Sequence, residues 1–252
     1  MNPVSASPAT LSSPRRALVT GGSGGIGAAI CERLAASGLD VVVHAHQGLE
    51  RAQALAARLR ATGGRASAAA FDVTDRAACA QALEQLQQDG PIQVLVNNAG
   101  IHDDAVFPGM RGEQWDRVLD VSLNGFFNVT QPLALPMLRT RWGRIISLSS
   151  VAAVMGNRGQ VNYAAAKGAL HAASRALSLE LASRGVTVNV VAPGIIDTGM
   201  AQDRFSAEAI ARMVPARRAG RPEEVADLVN FLVSDRAGYI TGQVLSINGG
   251  MA

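Results

Sequence analysis

Seven short apolar runs recur along the chain, at 15–20, 40–44, 65–71, 92–96, 144–149, 186–191 and 244–247. Several read as unbroken hydrophobic stretches rather than as an in–out alternation, the pattern of a strand covered on both faces and therefore of a parallel sheet. The segments between them carry helical signals. A helix over 28–37 is closed by Gly38, one over 49–62 is stopped by Gly63-Gly64, and one capped by Thr74 runs to about 89. A longer helical region covers 113–140 and is expected to bend or break near Pro132 and Pro136. The helix that carries Tyr163 runs to 183 and stops at Gly185, and Pro222 opens a last helix ending at 234. Strands alternating with helices imply right-handed crossovers and a single-domain, Rossmann-type, doubly wound parallel α/β sheet over residues 15–252. Residues 1–14, rich in Ser, Pro and Ala, read as a mobile tail, and 197–215, amphipathic but irregular, as a lid over the site.

The core of such a sheet is aliphatic: 48% of the 252 residues are hydrophobic and only 4% aromatic. No apolar run is long enough to span a bilayer, and no basic-then-apolar leader opens the sequence, so a cytoplasmic protein away from membranes is expected. Cys31 and Cys79 fall in Ala-rich helical stretches and read as small buried core residues in a reducing compartment. The net charge of +3 does not demand nucleic acid, and no metal-ligand cluster is apparent.

Ligands of a parallel sheet bind beyond the carboxyl ends of its strands. There, between the first strand and its helix, lies Thr20-Gly21-Gly22-Ser23-Gly24-Gly25-Ile26-Gly27. Glycines let the backbone approach a pyrophosphate, and the helix dipole favours its charge. A second constellation follows the fifth strand. Ser150 stands at the strand end, and Tyr163 and Lys167, four apart, share one face of the next helix. An ammonium beside a phenol favours the ionised phenol, which makes a better proton shuttle near neutral pH.

The spacing of the glycine turn, Asn97-Asn98-Ala99-Gly100 after the fourth strand, Ser150 with Tyr163-x-x-x-Lys167, and Pro193-Gly194 after the sixth strand together resemble the short-chain dehydrogenase/reductase family over nearly the whole chain. The resemblance implies a nicotinamide dinucleotide held by Thr20, Gly21, Ser23, Gly25, Ile26, Gly27, His46, Asp72, Val73, Asn98, Ala99, Gly100, Tyr163, Lys167, Pro193, Gly194, Ile196 and Thr198. It implies that Tyr163 exchanges a proton with the substrate oxygen, that Lys167 lowers the phenol's pKa and binds the nicotinamide ribose, and that Ser150 orients the carbonyl. The family's fourth catalytic residue, an Asn thought to hold a relay water, aligns with Ser122. Asn124 is two residues further on, about 200° around a helix, and cannot simply take its place. A Ser hydroxyl both donates and accepts, so an active but slower enzyme is expected.

The second strand ends in His44-Ala45-His46, without the carboxylate that would accept from a ribose 2′-hydroxyl and repel a 2′-phosphate. That favours NADP(H) over NAD. Gly24 stands where many NADP-using relatives carry Arg, so His46 and Ser23 are expected to hold the phosphate, unless the histidines are plain strand-end residues. Within the family, Met155 to Tyr163, Val188 to Gly194 and Tyr239 to Met251 are most similar to the 3-oxoacyl-(acyl-carrier-protein) reductases. That resemblance implies an acyl carrier protein partner, a landing patch at Arg141 and Arg184 near the site mouth, and a homotetramer or homodimer in which the apolar carboxyl-terminal segment is buried. Alternatives are a relative acting on a free carbonyl or alcohol, and a weakly active cofactor-binding protein.

Overall fold

The computed structural model describes residues 14–198 and 206–252. Positions 1–13 of the expected tail and 199–205 of the expected lid lie outside the described residues. Seven parallel strands form one sheet in the order β3-β2-β1-β4-β5-β6-β7. They are β1 (Arg16–Val19), β2 (Asp40–Ala45), β3 (Arg65–Ala70), β4 (Ile92–Asn97), β5 (Gly143–Leu148), β6 (Val186–Pro193) and β7 (Val244–Ile247). The order reverses between β1 and β4, which places a crevice beyond the carboxyl ends of those two strands.

Each central strand sends alternate residues to opposite faces. Ala17, Val19, Val41, Val43, Val94, Val96 and Ile146 join one buried cluster, with Ile30 and Leu34 of α1 (Gly25–Ala36) and Val229 and Leu232 of the helix Pro222–Val233. Leu18, Val42, Leu95, Ile145 and Val188 join the other, with Leu83 of α3 (Arg76–Gln88) and Leu133 and Met137 of α5 (Gly125–Thr140). A fully buried side chain of this size contributes about 1.5–3 kcal/mol. The double-faced burial explains why these strands lack polar alternation. Cys31 and Cys79 lie buried in the two clusters as free thiols, pushed above their usual pKa first by desolvation.

Two local expectations are corrected. The cap of α3 is Asp75, whose carboxylate accepts from the N–H groups of Ala77 and Ala78 at 2.9 and 3.0 Å. Thr74 instead donates its hydroxyl to Asp72 at 2.8 Å, and a charged acceptor makes the stronger cap. Pro132 and Pro136 lie inside α5 without ending it. The irregularity of the 113–140 region comes earlier, in one π-helical turn, Asp120–Asn124, between α4 (Gly112–Leu119) and α5. Each proline removes one helical N–H, whereas the wider turn re-aims every side chain it contains. Ser122 lies in that turn.

Candidate active site

The glycine turn is tied down from three sides. Thr20 Oγ1 accepts from the N–H groups of Asn98 and Ala99, both at 3.0 Å, and Asn98 Nδ2 donates to the carbonyls of Thr20 and Gly21 at 2.9 and 3.0 Å. His44, fully buried in β2, completes the clamp. The Gly21 N–H donates to its Nδ1 at 3.1 Å, so Nε2 carries the hydrogen and donates to the Phe71 carbonyl at 2.9 Å. Burial holds the His44 pKa down to about 4, opposed by the Phe71 carbonyl, and the ring stays neutral above that range. His44 is thus a structural element of the turn. A polar residue inside an otherwise apolar strand was the sequence signal for it.

The turn also has the shape a dinucleotide requires. Gly21 has φ +61° and Gly25 φ +52°, and a Cβ on Gly27 would collide with the Gly21 carbonyl. The first turn of α1 begins at Gly24 with no side-chain cap, so its N–H groups face the crevice without a protein acceptor of that kind. These features fit a pyrophosphate-bearing cofactor. Around the crevice stand the other residues singled out by the sequence: His46 beyond β2, Asp72 and Val73 beyond β3, Asn98 to Gly100 beyond β4, Ser150 beyond β5, and Pro193, Gly194, Ile196 and Thr198 at and beyond the end of β6. Two of them turn inward. Thr20 spends its hydroxyl on the clamp, and Val73 is core, packed against Gly125. Asp72 accepts from Thr74 N and Oγ1; desolvation would raise its pKa, but these bonds outweigh it and hold the carboxyl low, with His46 Nε2 at 3.4 Å. Unforeseen was Arg51. Its guanidinium folds back over Gly48, whose added Cβ would stand 3.0 Å from Nε, placing a cation beside the loop after β2.

Ser150, Tyr163, Pro193, Gly194, Ile196 and Thr198 line one cleft of about 660 Å³. Its walls are largely apolar, from Ile26, Val151, Ala152, Met155, Ile195, Met213 and Met251, with His102, Asp104, Asn157 and Gln160 on the polar side. Ser150 Oγ accepts from the Ala152 N–H at 3.1 Å, which leaves its own proton to donate, and it stands beside Tyr163 in the cleft. Lys167 is 3% exposed on α7 (Val161–Leu181) and donates from Nζ to the Leu148 carbonyl at 2.8 Å. Nζ stands 5.8 Å from the centre of the Tyr163 ring.

The electrostatics correct the simple phenol–ammonium picture. Burial pushes Tyr163 above its usual pKa, the neighbouring Ser150 hydroxyl pulls it down and the Asp104 charge pushes it up again. Burial alone lowers Lys167 to about 8. Both groups therefore lie on the neutral-favouring side of their ordinary values. The phenol is poised as a proton donor, and the lysine's charge is expensive where it stands.

Ser122 is 4% exposed, and its hydroxyl has no protein hydrogen-bond partner. It lines a cavity of about 10 Å³ with Thr20, Asn97, Ala99 and Leu170, roughly room for one water. Asn124 is exposed and donates to Asp120 at 2.6 Å. Arg141 and Arg184 are not at the cleft. Arg141 caps the carboxyl end of α5 just before β5, and Arg184 precedes β6, with the Arg141 carbonyl against Gly185. Helices run back against parallel strands, so both arginines lie at the amino-terminal edge of the sheet, opposite the cleft. A motif match fixes their alignment with relatives but not their distance from the site.

A glycine cradle at the switch point of a doubly wound sheet, opening on a cleft with Ser, Tyr and a buried Lys, defines a nicotinamide-dependent oxidoreductase acting on CH–OH or C=O groups. The family model described as short chain dehydrogenase matches residues 15–209, and this chain belongs to that family. It is 46% identical over 236 residues to the 3-oxoacyl-[acyl-carrier-protein] reductase FabG of Aggregatibacter actinomycetemcomitans, covering 93% of this chain and 98% of that protein. It is 44% identical over 238 residues to the enzyme of the same name from Escherichia coli (strain K12), covering 93% and 96%. It is 43% identical over 240 residues to the acetoacetyl-CoA reductase of Rhizobium meliloti (strain 1021), covering 94% and 98%. Among the described residues no helix is long and apolar enough to cross a membrane.

Proposed function

We propose that this enzyme reduces a 3-oxoacyl thioester, carried by acyl carrier protein, to the 3-hydroxyacyl thioester with NADPH. The observation that carries this reading is the cleft itself. It sets Ser150 and Tyr163 beside a largely apolar wall fit for an acyl chain, in a chain 42–46% identical to several reductases named for that substrate. When bound, the cofactor supplies a hydride to the carbonyl carbon. Ser150 donates a hydrogen bond to the carbonyl oxygen, and Tyr163 delivers the proton that the oxygen needs as it becomes a hydroxyl. Lys167 meets the nicotinamide ribose and holds positive charge near the phenol once the crevice is filled. The residues around the glycine turn hold the dinucleotide. Its 2′-phosphate is assigned to Ser23, His46 and Arg51, a reading supported by the absence of a carboxylate at the end of β2 and by the cation folded over Gly48.

The test is nicotinamide oxidation with acetoacetyl groups on acyl carrier protein, on coenzyme A and on a short thioester analogue, each with NADPH and NADH. The expected result is a higher kcat/KM with NADPH and with the carrier protein. A preference for NADH would overturn the cofactor assignment. A preference for coenzyme A would favour a second reading, suggested by the acetoacetyl-CoA reductase among the relatives. No turnover on any thioester would leave a free carbonyl compound as substrate, or a protein that only binds cofactor.

Ser122 is proposed to hold a relay water in place of the usual Asn. Because the space beside it is about 10 Å³, Ser122→Asn overfills the site and is expected to cost about 1–3 kcal/mol of stability while raising kcat. An unchanged kcat would make the departure neutral. The cytoplasm and a homotetramer or homodimer remain the proposed setting. Phe127 and Leu135 on α5 and Leu179 on α7 expose 48%, 54% and 84% of their surface, which supports burial against another copy. The carboxyl-terminal segment supports the same reading, since the expected strand at 244–247 is only partly buried within one copy, while Met251 lines the cleft. Arg141 and Arg184 serve carrier docking only where such an assembly brings that edge of one copy near the cleft of another.

A further inference from the structure

Three consecutive residues at the carboxyl end of β5 each meet one member of a stripe on α7. Tyr163, Lys167 and His171 are spaced four apart and share a helix face. Ser150 lines the cleft beside Tyr163, and the Leu148 carbonyl accepts from Lys167 Nζ. Between them, Ser149 Oγ lies 3.0 Å from the Lys167 carbonyl oxygen and 2.7 Å from His171 Nε2. A hydroxyl has one proton and a carbonyl can only accept. Ser149 therefore donates to Lys167, and His171 Nε2 must carry a hydrogen and donate to Ser149 Oγ. Ser149 is itself fixed to the sheet, since its N–H donates to the Val191 carbonyl at 2.8 Å.

We propose that His171 is a positioning residue for the reaction, acting through Ser149 on the main chain of Lys167. With His171 donating, the Ser149 hydroxyl has one orientation, and the helical turn bearing Tyr163 and Lys167 is held in register with Ser150. Without that donor, the hydroxyl is free to turn away from Lys167 and the strand–helix tie loosens at the point where the reacting groups are aligned. A misplacement of about 1 Å in a site of this kind costs up to about 10²-fold in rate, and a partial loosening about tenfold. The proposal rests on the catalytic assignment of Tyr163 and Lys167 but not on which thioester is reduced.

The experiment compares His171→Leu, His171→Gln, Ser149→Ala and the Ser149→Ala/His171→Leu double variant by kcat, KM for both substrates, pH profile and Tm. His171→Leu is expected to lower kcat about tenfold, with KM for cofactor unchanged within about twofold, and to move the pH limb that reports Tyr163. His171→Gln, whose amide can donate from a similar position, restores kcat and the limb. The double variant is no slower than Ser149→Ala alone, because both substitutions cut one tie. Wild-type kcat and pH profile in His171→Leu, no rescue by Gln, or additive losses in the double variant would each overturn the proposal. A role in packing alone predicts a lower Tm with an unmoved pH limb. Should His171→Leu fail to fold, Ser149→Ala and His171→Gln still decide it. If Tyr163 itself proves dispensable, the catalytic assignment fails instead, and Tyr163→Phe reads that separately.

Discussion

Tyr163→Phe is expected to lower kcat by about 10²–10⁴-fold, the range that a positioned general acid supplies, while the affinity for the nicotinamide cofactor changes by less than about twofold. The reason lies in what the hydroxyl does in the folded chain. It stands beside Ser150 at the substrate cleft, and the ring keeps its place on α7 whether or not the oxygen is present. Removing the oxygen takes away the proton but little packing, so folding stability should change by no more than the worth of one hydrogen bond, about 1 kcal/mol. Stopped-flow reduction rates, with cofactor fluorescence as the binding measure, separate the two effects. Turnover near the wild-type rate in this variant would remove Tyr163 from the mechanism. Titration of the phenol carries a second check. Burial and the Asp104 charge hold the phenol above its ordinary pKa in the cofactor-free chain, so a spectroscopic titration of the free enzyme should find Tyr163 protonated through neutral pH.

The features legible in the sequence are those with a local period or a local spacing. Strand runs such as Val41-Val42-Val43 show burial on both faces directly, and β7 occupies the residues expected of it, Val244–Ile247. Tyr163 and Lys167 are visible as a pair because helical spacing alone aligns them. What the sequence could not show depends on partners distant in the chain. His44 is defined by Gly21 and Phe71, 23 and 27 residues away, and Ser149 by His171, 22 residues on. Arg141 and Arg184 were misplaced relative to the cleft for the same reason, since the end of the sheet on which a loop falls is a property of topology. The π-helical turn at Asp120–Asn124 has no residue signature as sharp as the two prolines that drew attention to α5. The direction of the phenol's pKa was missed because spacing reveals a neighbouring ammonium but not the burial that opposes it.

Lys167→Met should yield a protein that is inactive yet more stable at neutral pH. The folded chain holds Lys167 at a pKa of about 8 against an ordinary 10.5, and desolvation by burial is the cause. The folded state therefore resists protonation that the unfolded state accepts freely. The resulting penalty is full below about pH 8, shrinks as pH rises toward 10.5 and vanishes above it. At pH 7 it amounts to about 3 kcal/mol. Methionine fills similar space without a charge, but it forfeits the 2.8 Å bond to the Leu148 carbonyl, worth about 1 kcal/mol. A net gain of about 2 kcal/mol in the cofactor-free protein follows, measured as a denaturant midpoint at pH 7 and expected to disappear by about pH 10. A gain that persisted unchanged at pH 10 would trace to packing, and a loss of stability at pH 7 would mean that the ammonium is better satisfied than one carbonyl allows. The sign matters for the function. A buried lysine that destabilises its own fold fits the proposed role of Lys167, a cation serving a filled crevice, the trade expected of a binding site and not of a core.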